Sequence, residues 1–202
     1  MTRTLLRTTS TSTTLRLLAL MFACVTLSGC AGLLFSGAAT GAAVAHDTRT
    51  AGTVIEDQAI ELKATELIWK DPELNNQSHI STTSYNQIVL ITGQTPTEAL
   101  RQRAQSKIAS VAKVRHIHNE LIVAAPSSLT TRSGDTVLTA KVKTKMFALK
   151  DIDGTRVKVV TENGVVYLMG LLSAPDADLA ANAASTVSGV QKVVKLFENS
   201  NS

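Results

Sequence analysis

Cysteine is almost absent from this sequence, and the little there is lies at one end. The chain contains Cys24 and Cys30, and no cysteine follows them. Disulfide frameworks and thiolate metal sites need several cysteines at suitable spacings. We therefore expect neither disulfides nor sulfur-ligated metal in the chain beyond residue 30.

The early part of the sequence also lacks an apolar run long enough to cross a bilayer, which takes about 20 residues. The apolar run covers only residues 17–27; three arginines and no acidic residue precede it, and Ser28-Gly29-Cys30 follows. A basic start, a short apolar segment and small residues before a cut site are typical of a secretory signal.

Leu27-Ser28-Gly29-Cys30 also resembles the lipobox of bacterial lipoproteins, in which the cysteine receives lipid. We expect residues 1–29 to be a lipoprotein signal peptide, Cys30 to be lipidated, and residues 30–46 to be a flexible tether. The residue after the cysteine is Ala31, and in this the chain resembles lipoproteins that are exported to the outer membrane. The alternative is an ordinary signal peptide with a chance cysteine.

The net charge is small once the predicted signal peptide is left out of the count. The whole chain has a net charge of +4, but removal of residues 1–29 takes away three arginines and leaves 17 basic and 16 acidic residues. Basicity therefore gives no reason to expect nucleic acid as a partner.

Patterns that carry catalysis or bind metals are missing as well. There is no Ser-His-Asp order with a nucleophile elbow and no glycine loop for phosphate. His116 and His118 alternate on a predicted strand without a third ligand. Asp151 and Asp153 precede Gly154 but lack the other ligands of a calcium loop. We expect no enzymatic activity, no cofactor and no metal.

What the sequence does contain is an internal repeat. Residues 57–69 align with residues 135–147, and Ile88–Gly93 aligns with Val165–Gly170, at an offset between 77 and 79. Each copy contains, in order, a segment with helical spacing, two strands with alternating side chains, a second helix and a last strand. This order predicts an α+β fold, an α/β sandwich in which two helices cover one face of a three-stranded mixed sheet.

Local signals set the expected boundaries. Asn163-Gly164 predicts a tight hairpin, and Asn86-Gln87 is its weaker equivalent. Thr95 and Ser173 are the expected caps of the second helices. The strands are expected at 79–84, 88–93 and 114–123 in the first copy, and at 156–161, 165–170 and 192–197 in the second.

Each copy has roughly 70 residues, near the lower limit for a self-sufficient core. We therefore expect the copies to pack together. Trp69 and Phe147 hold equivalent positions in the repeat. Trp69 is expected in the core or between the copies, whereas Phe147 could lie there or at a membrane.

Both copies resemble BON domains, the fold named for bacterial osmotically inducible and nodulation proteins. The features that carry the resemblance are Gly93 and Gly170 as the last residue of the second strand and the paired valines Val111/Val114 and Val190/Val193 near the last strand. Residues 159–170 are especially similar to dual-BON outer-membrane lipoproteins. The resulting domains are a first BON domain at 47–124, a linker at 125–134 and a second BON domain at 135–199.

The resemblance implies a protein of the outer membrane that faces the periplasm. It implies binding of anionic phospholipid (phosphatidylglycerol or cardiolipin) through the second BON domain, support of envelope integrity and a role at division sites. An envelope protein-protein adaptor without direct lipid recognition is the alternative.

The pattern of basic and apolar residues predicts the lipid contact on the helix that begins near Asp135, because a basic amphipathic helix can lie at a membrane interface. The candidate residues are Val137, Leu138, Lys141, Lys143, Lys145 and Phe147. The alternative is that the lysines form only a solvated face. The family members carry a tryptophan near the start of this helix, where the present chain has Val137, so the lysines and Phe147 would carry more of the contact.

Overall fold

The computed structural model describes residues 49–200. The predicted signal peptide, Cys30 and the tether that ends at residue 46 lie outside the described residues. Within the described range, no helix is long and apolar enough to span a membrane.

The first copy forms a mixed sheet covered by helices. Strand β2 pairs antiparallel with β1 and parallel with both β3 and β4. The elements are α1 (Ala51–Trp69), α2 (Pro72–Gln77), β1 (His79–Tyr85), β2 (Ile88–Thr95), α3 (Glu98–Ala109), β3 (His116–Asn119) and β4 (Ile122–Val123).

The second copy repeats this plan with three strands. Strand β6 pairs antiparallel with β5 and parallel with β7. The elements are α4 (Leu129–Phe147), a 3-10 turn (Gly154–Arg156), β5 (Lys158–Glu162), β6 (Val165–Leu172), α5 (Ala174–Ser185) and β7 (Lys192–Asn199). The predicted α+β class with two mixed sheets is confirmed.

The first helix of each copy starts about six residues before the predicted start. The Thr50 hydroxyl accepts the N–H of Thr53, and the Ser128 hydroxyl accepts the N–H of Thr131. These caps satisfy backbone donors that a helix start would otherwise leave open. Helix α4 therefore begins inside the segment that the sequence analysis assigned to a linker.

Several other predicted boundaries were wrong. Thr97, not Thr95, caps α3, because Thr95 is still paired in β2. The strand predicted at 114–123 is split into β3 and β4. Helix α2 was not predicted, although Asp71 caps it and Pro72 occupies its first position, both ordinary start signals. Ser173 caps α5 as predicted.

Side chains of the central strands point alternately to the two faces of each sheet, so both faces of each sheet are apolar. In β2, Val89 and Ile91 face the helices of their own copy, while Ile88 and Leu90 face the other sheet. Strand β6 does the same: Tyr167 and Met169 lie between the sheets, and Val166 and Leu168 lie under α4 and α5. The copies therefore pack sheet against sheet, with helices on both outer sides.

Polar contacts border this layer between the sheets. The Asn86 side chain donates to Glu198 Oε2 at 2.6 Å, and the Gln94 side chain donates to Glu162 Oε1 at 2.7 Å. Burial, with Glu120 and Glu162 nearby, raises the pKa of Tyr167 to about 12. The interface is thus an apolar layer with hydrogen bonds at its rim, as expected for copies that pack together.

A buried aspartate fastens the first helix of each copy to its hairpin. Asp57 Oδ2 and Oδ1 accept the N–H groups of Asn86 and Gln87 at 2.7 Å each. Asp135 accepts those of Asn163 and Gly164 at 2.8 and 2.9 Å. All four turn residues have positive φ. The carboxylates therefore compensate for turns that cost conformational energy, above all at Gln87.

We expect the free energy of unfolding to fall between about pH 7.5 and pH 5.5. Burial lowers the pKa of His79, with Arg132 acting in the same direction and Glu162 and Asp135 opposing it; burial also lowers the pKa of His118. The unfolded chain therefore binds protons at a higher pH than the folded chain, so acidification favours unfolding. Urea unfolding at both pH values, with and without His79→Gln and His118→Gln, measures the effect. A rise in stability on acidification would contradict it.

Candidate membrane-facing surface

Helix α4 is held firmly at its N-terminal end. The Ser127 N–H donates to Gln94 Oε1 of the first copy at 2.8 Å. The Arg132 guanidinium donates twice to the Ser127 carbonyl, at 2.7 and 3.1 Å. Together with the Asp135 contacts to the hairpin, these bonds fix the start of the helix against both copies. The outward side chains of α4 are therefore presented on a rigid support.

The outward face of α4 combines apolar and basic side chains. Val137 is 55% exposed and Phe147 is 61% exposed. At about 100° per residue, both point away from the core. Lys141 lies beside Val137, Lys143 lies beyond Phe147, and Lys145 lies further round the helix, about 80° from Val137. An apolar centre with lysines on both sides suits a helix that lies flat in a membrane interface.

The three lysines are electrostatically available. Lys141, Lys143 and Lys145 are exposed, and no ion pair within residues 49–200 involves any of them. By contrast, all eight described lysines and arginines of the first copy pair with a carboxylate, such as Lys113 with Glu56. The positive charge of α4 is therefore directed toward solvent.

One candidate residue is misplaced and another was missed. Leu138 is only 7% exposed and belongs to the core under α4, so its side chain is not part of the surface. Leu129 is 77% exposed. It lies five turns before Phe147 on the same line of the helix, about 27 Å away. It was missed because 125–134 was predicted as a linker, although Ser128 is an ordinary cap residue. We call Leu129, Val137, Lys141, Lys143, Lys145 and Phe147 the α4 surface.

A shallow hollow adjoins the α4 surface. It lies between the first half of α4, the β5–β6 turn and the loop before β7. Lys141 lies at this hollow together with Ser133, Asn163 and Gln191, and the Asp135 carboxylate and the side chains of Val137 and Leu138 also line it. The hollow therefore offers one positive and one negative side chain beside hydroxyl, amide and apolar groups.

Comparison with known proteins identifies the repeated unit. The BON domain model matches residues 56–125 and 134–199. The chain belongs to the BON-domain family. We call the first copy BON1 and the second copy BON2.

Three relatives share most of this two-BON chain. It is 38% identical over 183 residues to the outer membrane lipoprotein DolP of Haemophilus influenzae, covering 91% of this chain and 95% of that protein. It is 37% identical to the 21 kDa hemolysin of Actinobacillus pleuropneumoniae, covering 75% and 78%. It is 29% identical to the osmotically-inducible protein Y of Escherichia coli, covering 70% and 72%.

The outer helix of BON1 contradicts the prediction for Trp69. Its side chain is 70% exposed at the end of α1 and lies neither in the core nor between the BON domains. Ile55 and Leu62 are also strongly exposed, and the three residues are spaced by seven. We call Ile55, Leu62 and Trp69 the α1 stripe. Seven residues are nearly two helical turns, so the stripe runs along one side of α1.

The remaining site candidates in BON1 and BON2 have local explanations. The rings of His116 and His118 lie edge to face with centroids 4.6 Å apart, and no third potential ligand in the described part of the chain joins them. Asp153 caps the 3-10 turn by accepting the N–H of Thr155. Both arrangements are accounted for by packing and turn formation.

Proposed function

We propose that this chain is an outer-membrane lipoprotein, anchored by lipid on Cys30 and facing the periplasm, that binds anionic phospholipid through the α4 surface of BON2. In this role it supports envelope integrity and acts at division sites. The observation that carries the lipid proposal is the set of three lysines, unpaired within the described part of the chain, that flank exposed Val137 and Phe147. The relative named as an outer membrane lipoprotein supports the proposed location.

The expected affinity of α4 for an anionic membrane is sufficient for a second contact of a protein that is already anchored. Each lysine near an anionic surface contributes about 1 kcal/mol. Three lysines and two or three apolar side chains would give modest affinity in free solution. An anchor on Cys30 would keep α4 near the bilayer, and a high local concentration makes a weak contact effective.

Cosedimentation of the fragment His46–Ser202 with vesicles tests the proposal. We expect binding to vesicles with phosphatidylglycerol and little binding to neutral phosphatidylcholine vesicles. Replacing Lys141, Lys143 and Lys145 by glutamine removes about 3 kcal/mol of attraction, so partitioning should fall roughly 100-fold. Replacing Lys63, Lys70 and Lys113 of BON1 changes the net charge equally and serves as the matched control. Equal binding to neutral vesicles, or equal losses for the two triple variants, would refute the proposal.

Apolar variants test the pose of the helix. Phe147→Ala and Leu129→Ala should each weaken binding to the anionic vesicles, because both side chains lie on the outward line of α4. Val137→Trp should strengthen it, since tryptophan favours the membrane interface. Unchanged partitioning for all three variants would show that α4 does not lie flat on the lipid. A spin label attached at position 140 would then report directly how deep α4 lies in the bilayer.

A further inference from the structure

The two BON domains differ at one corner of the repeated unit. In BON1 the Glu56 carboxylate accepts a hydrogen bond from the Gln87 side-chain amide and forms an ion pair with the Lys113 ammonium group. Gln87 and Lys113 both have positive φ, a backbone conformation that is unfavourable for residues other than glycine. These three side chains bridge the start of α1, the β1–β2 turn and the loop before β3.

BON2 has glycine at all three equivalent positions, which are Gly134, Gly164 and Gly189. Gly134 and Glu56 each directly precede the buried aspartate that binds the hairpin turn. The carbonyl oxygens of Gly164 and Gln87 each accept the backbone N–H of the residue directly before the last part of the sheet, β7 in BON2 and β3 in BON1. The first two glycines therefore replace Glu56 and Gln87.

The third glycine takes the place of the lysine. Gly189 and Lys113 each lie two residues before the donor of that hydrogen bond, and both have positive φ. In BON1 the lysine side chain reaches back to α1, whereas glycine has no side chain to do so. The three side chains that fill this corner of BON1 are thus missing together from BON2.

The missing side chains leave the backbone of BON2 accessible at the hollow beside α4. Gly134, Gly164 and Gly189 all line this hollow. A Cβ atom at Gly134 would meet no atom within 4 Å, so packing does not require glycine there, and glycine weakens a helix. A glycine that lowers helix stability without a packing reason is typical of a place where a ligand approaches the backbone closely.

The side chains around the hollow suit a phosphate ester that also carries hydroxyl groups. Lys141 is the single cation among them and can pair with a phosphate. The Asp135 carboxylate accepts two backbone N–H groups and keeps lone pairs that can accept from a hydroxyl. Hydroxyl and amide groups of Ser133, Asn163 and Gln191 can exchange further hydrogen bonds with the same ligand.

We propose that the hollow is a headgroup pocket of BON2 that prefers a phosphodiester of glycerol, as in phosphatidylglycerol. This proposal rests on the proposed contact of α4 with the membrane. Lys141 and Val137 belong to both the α4 surface and the hollow, so the hollow opens toward the headgroups when α4 lies flat on the bilayer. The α4 surface then attracts any anionic lipid, and the hollow adds selectivity among anionic lipids.

Nanodiscs that carry the full chain test the proposal. The discs contain phosphatidylcholine with increasing amounts of phosphatidylglycerol or of phosphatidylethanol, which has the same charge but no headgroup hydroxyl. With [15N]glycine labelling, the amide signals of Gly164 and Gly189 report on the hollow, and that of Gly93 in BON1 is the reference. We expect the half-maximal shift at a mole fraction of phosphatidylglycerol about fivefold to tenfold lower than that of phosphatidylethanol, because the hydroxyl groups add hydrogen bonds.

Two matched variants separate the hollow from general effects. Gly134→Gln places a neutral side chain where BON1 has Glu56. It should reduce the preference for phosphatidylglycerol to about twofold or less and leave the response to phosphatidylethanol in place. Gly52→Gln makes the same change in α1, where a Cβ atom would meet only the Thr50 hydroxyl oxygen at 3.7 Å, and should leave the preference unchanged. Both positions are exposed in helices, and glutamine favours helix more than glycine does.

Four results would overturn the headgroup pocket. Equal half-maximal mole fractions for the two anionic lipids, or a preference that survives Gly134→Gln, would remove the pocket but leave lipid binding by α4 intact. An equal shift with phosphatidylethanolamine would assign the hollow to an ammonium group. Loss of the preference when soluble glycerophosphoglycerol is added at the same concentration as the lipid headgroup would assign it to a free glycerol phosphate. A response to neither anionic lipid would instead refute the proposed function itself.

Discussion

Replacing Asp57 by alanine is expected to lower the free energy of unfolding by about 3–5 kcal/mol, because it removes a buried carboxylate that satisfies several donors. Asp57 accepts the Ser84 hydroxyl at 2.6 Å, the backbone N–H groups of Asn86 and Gln87, and the Arg49 guanidinium at 2.7 Å. Without it, the positive-φ turn loses its support and the guanidinium loses its countercharge. Thermal unfolding of the fragment His46–Ser202 should show a fall in Tm of about 10 °C or more.

Asp135→Ala is the matched control for this prediction. Asp135 holds the equivalent position in BON2 but accepts only two backbone N–H groups in the described structure, and its turn contains Gly164, which tolerates positive φ. We expect a loss of about 1–3 kcal/mol there. Equal losses for the two variants would show that the extra donors of Asp57 contribute nothing. A loss below about 1 kcal/mol for Asp57→Ala would contradict the argument outright.

Gly93→Ala is expected to destabilise the protein by about 4 kcal/mol or more. Gly93 has a φ of +118°, and a Cβ atom there would lie 1.9 Å from the backbone carbonyl oxygen of His79. The overlap involves the main chain of the paired strand β1, so rotation of a side chain cannot relieve it. Urea unfolding should show a large shift in midpoint with little change in slope.

A second glycine substitution provides the control for Gly93. Gly134 lies inside α4, and a Cβ atom there would meet no atom within 4 Å. Gly134→Ala should therefore stabilise the protein by about 0.5–1 kcal/mol, since alanine favours helix more than glycine does. If both variants destabilise the protein equally, the overlap between an added Cβ atom at Gly93 and the backbone of β1 is not the cause.

Strong periodicity allowed the general fold to be predicted. The repeat, the alternation in β2 and β6 and the Asn163-Gly164 turn were sufficient for the α+β class and the mixed sheets. Helix starts were harder to predict, because Thr50 and Ser128 are common residues whose capping depends on the chain direction that precedes them. The copies were expected to pack together, but the sequence analysis predicted only one covered face for each sheet and did not identify the second face, with Ile88 and Leu90 in β2, as the surface that packs.

The surface residues show where sequence reasoning fails. Leu138 and Val137 are neighbours with similar hydrophobicity, but a rotation of about 100° buries one and exposes the other. Trp69 is the type of residue that usually packs inside, and only the tertiary structure shows that it is 70% exposed and that no element within residues 49–200 covers it. Apolar residues can serve a core or a partner, and the sequence pattern alone does not distinguish these uses.

The lysines of α4 also give the folded domains an electric dipole across their thickness. Within the described residues Lys141, Lys143 and Lys145 have no carboxylate partner on one outer side, whereas each carboxylate of α1 on the other side pairs with a lysine or arginine, with two sheets between the helices. In the field of an anionic surface such a body experiences a torque that turns its positive side toward the surface before any contact forms. The torque acts within about one Debye length, roughly 8 Å at physiological ionic strength. A tethered domain pair would thus be oriented by the bilayer before it touches the surface, and added salt would remove this orientation without removing the anchor.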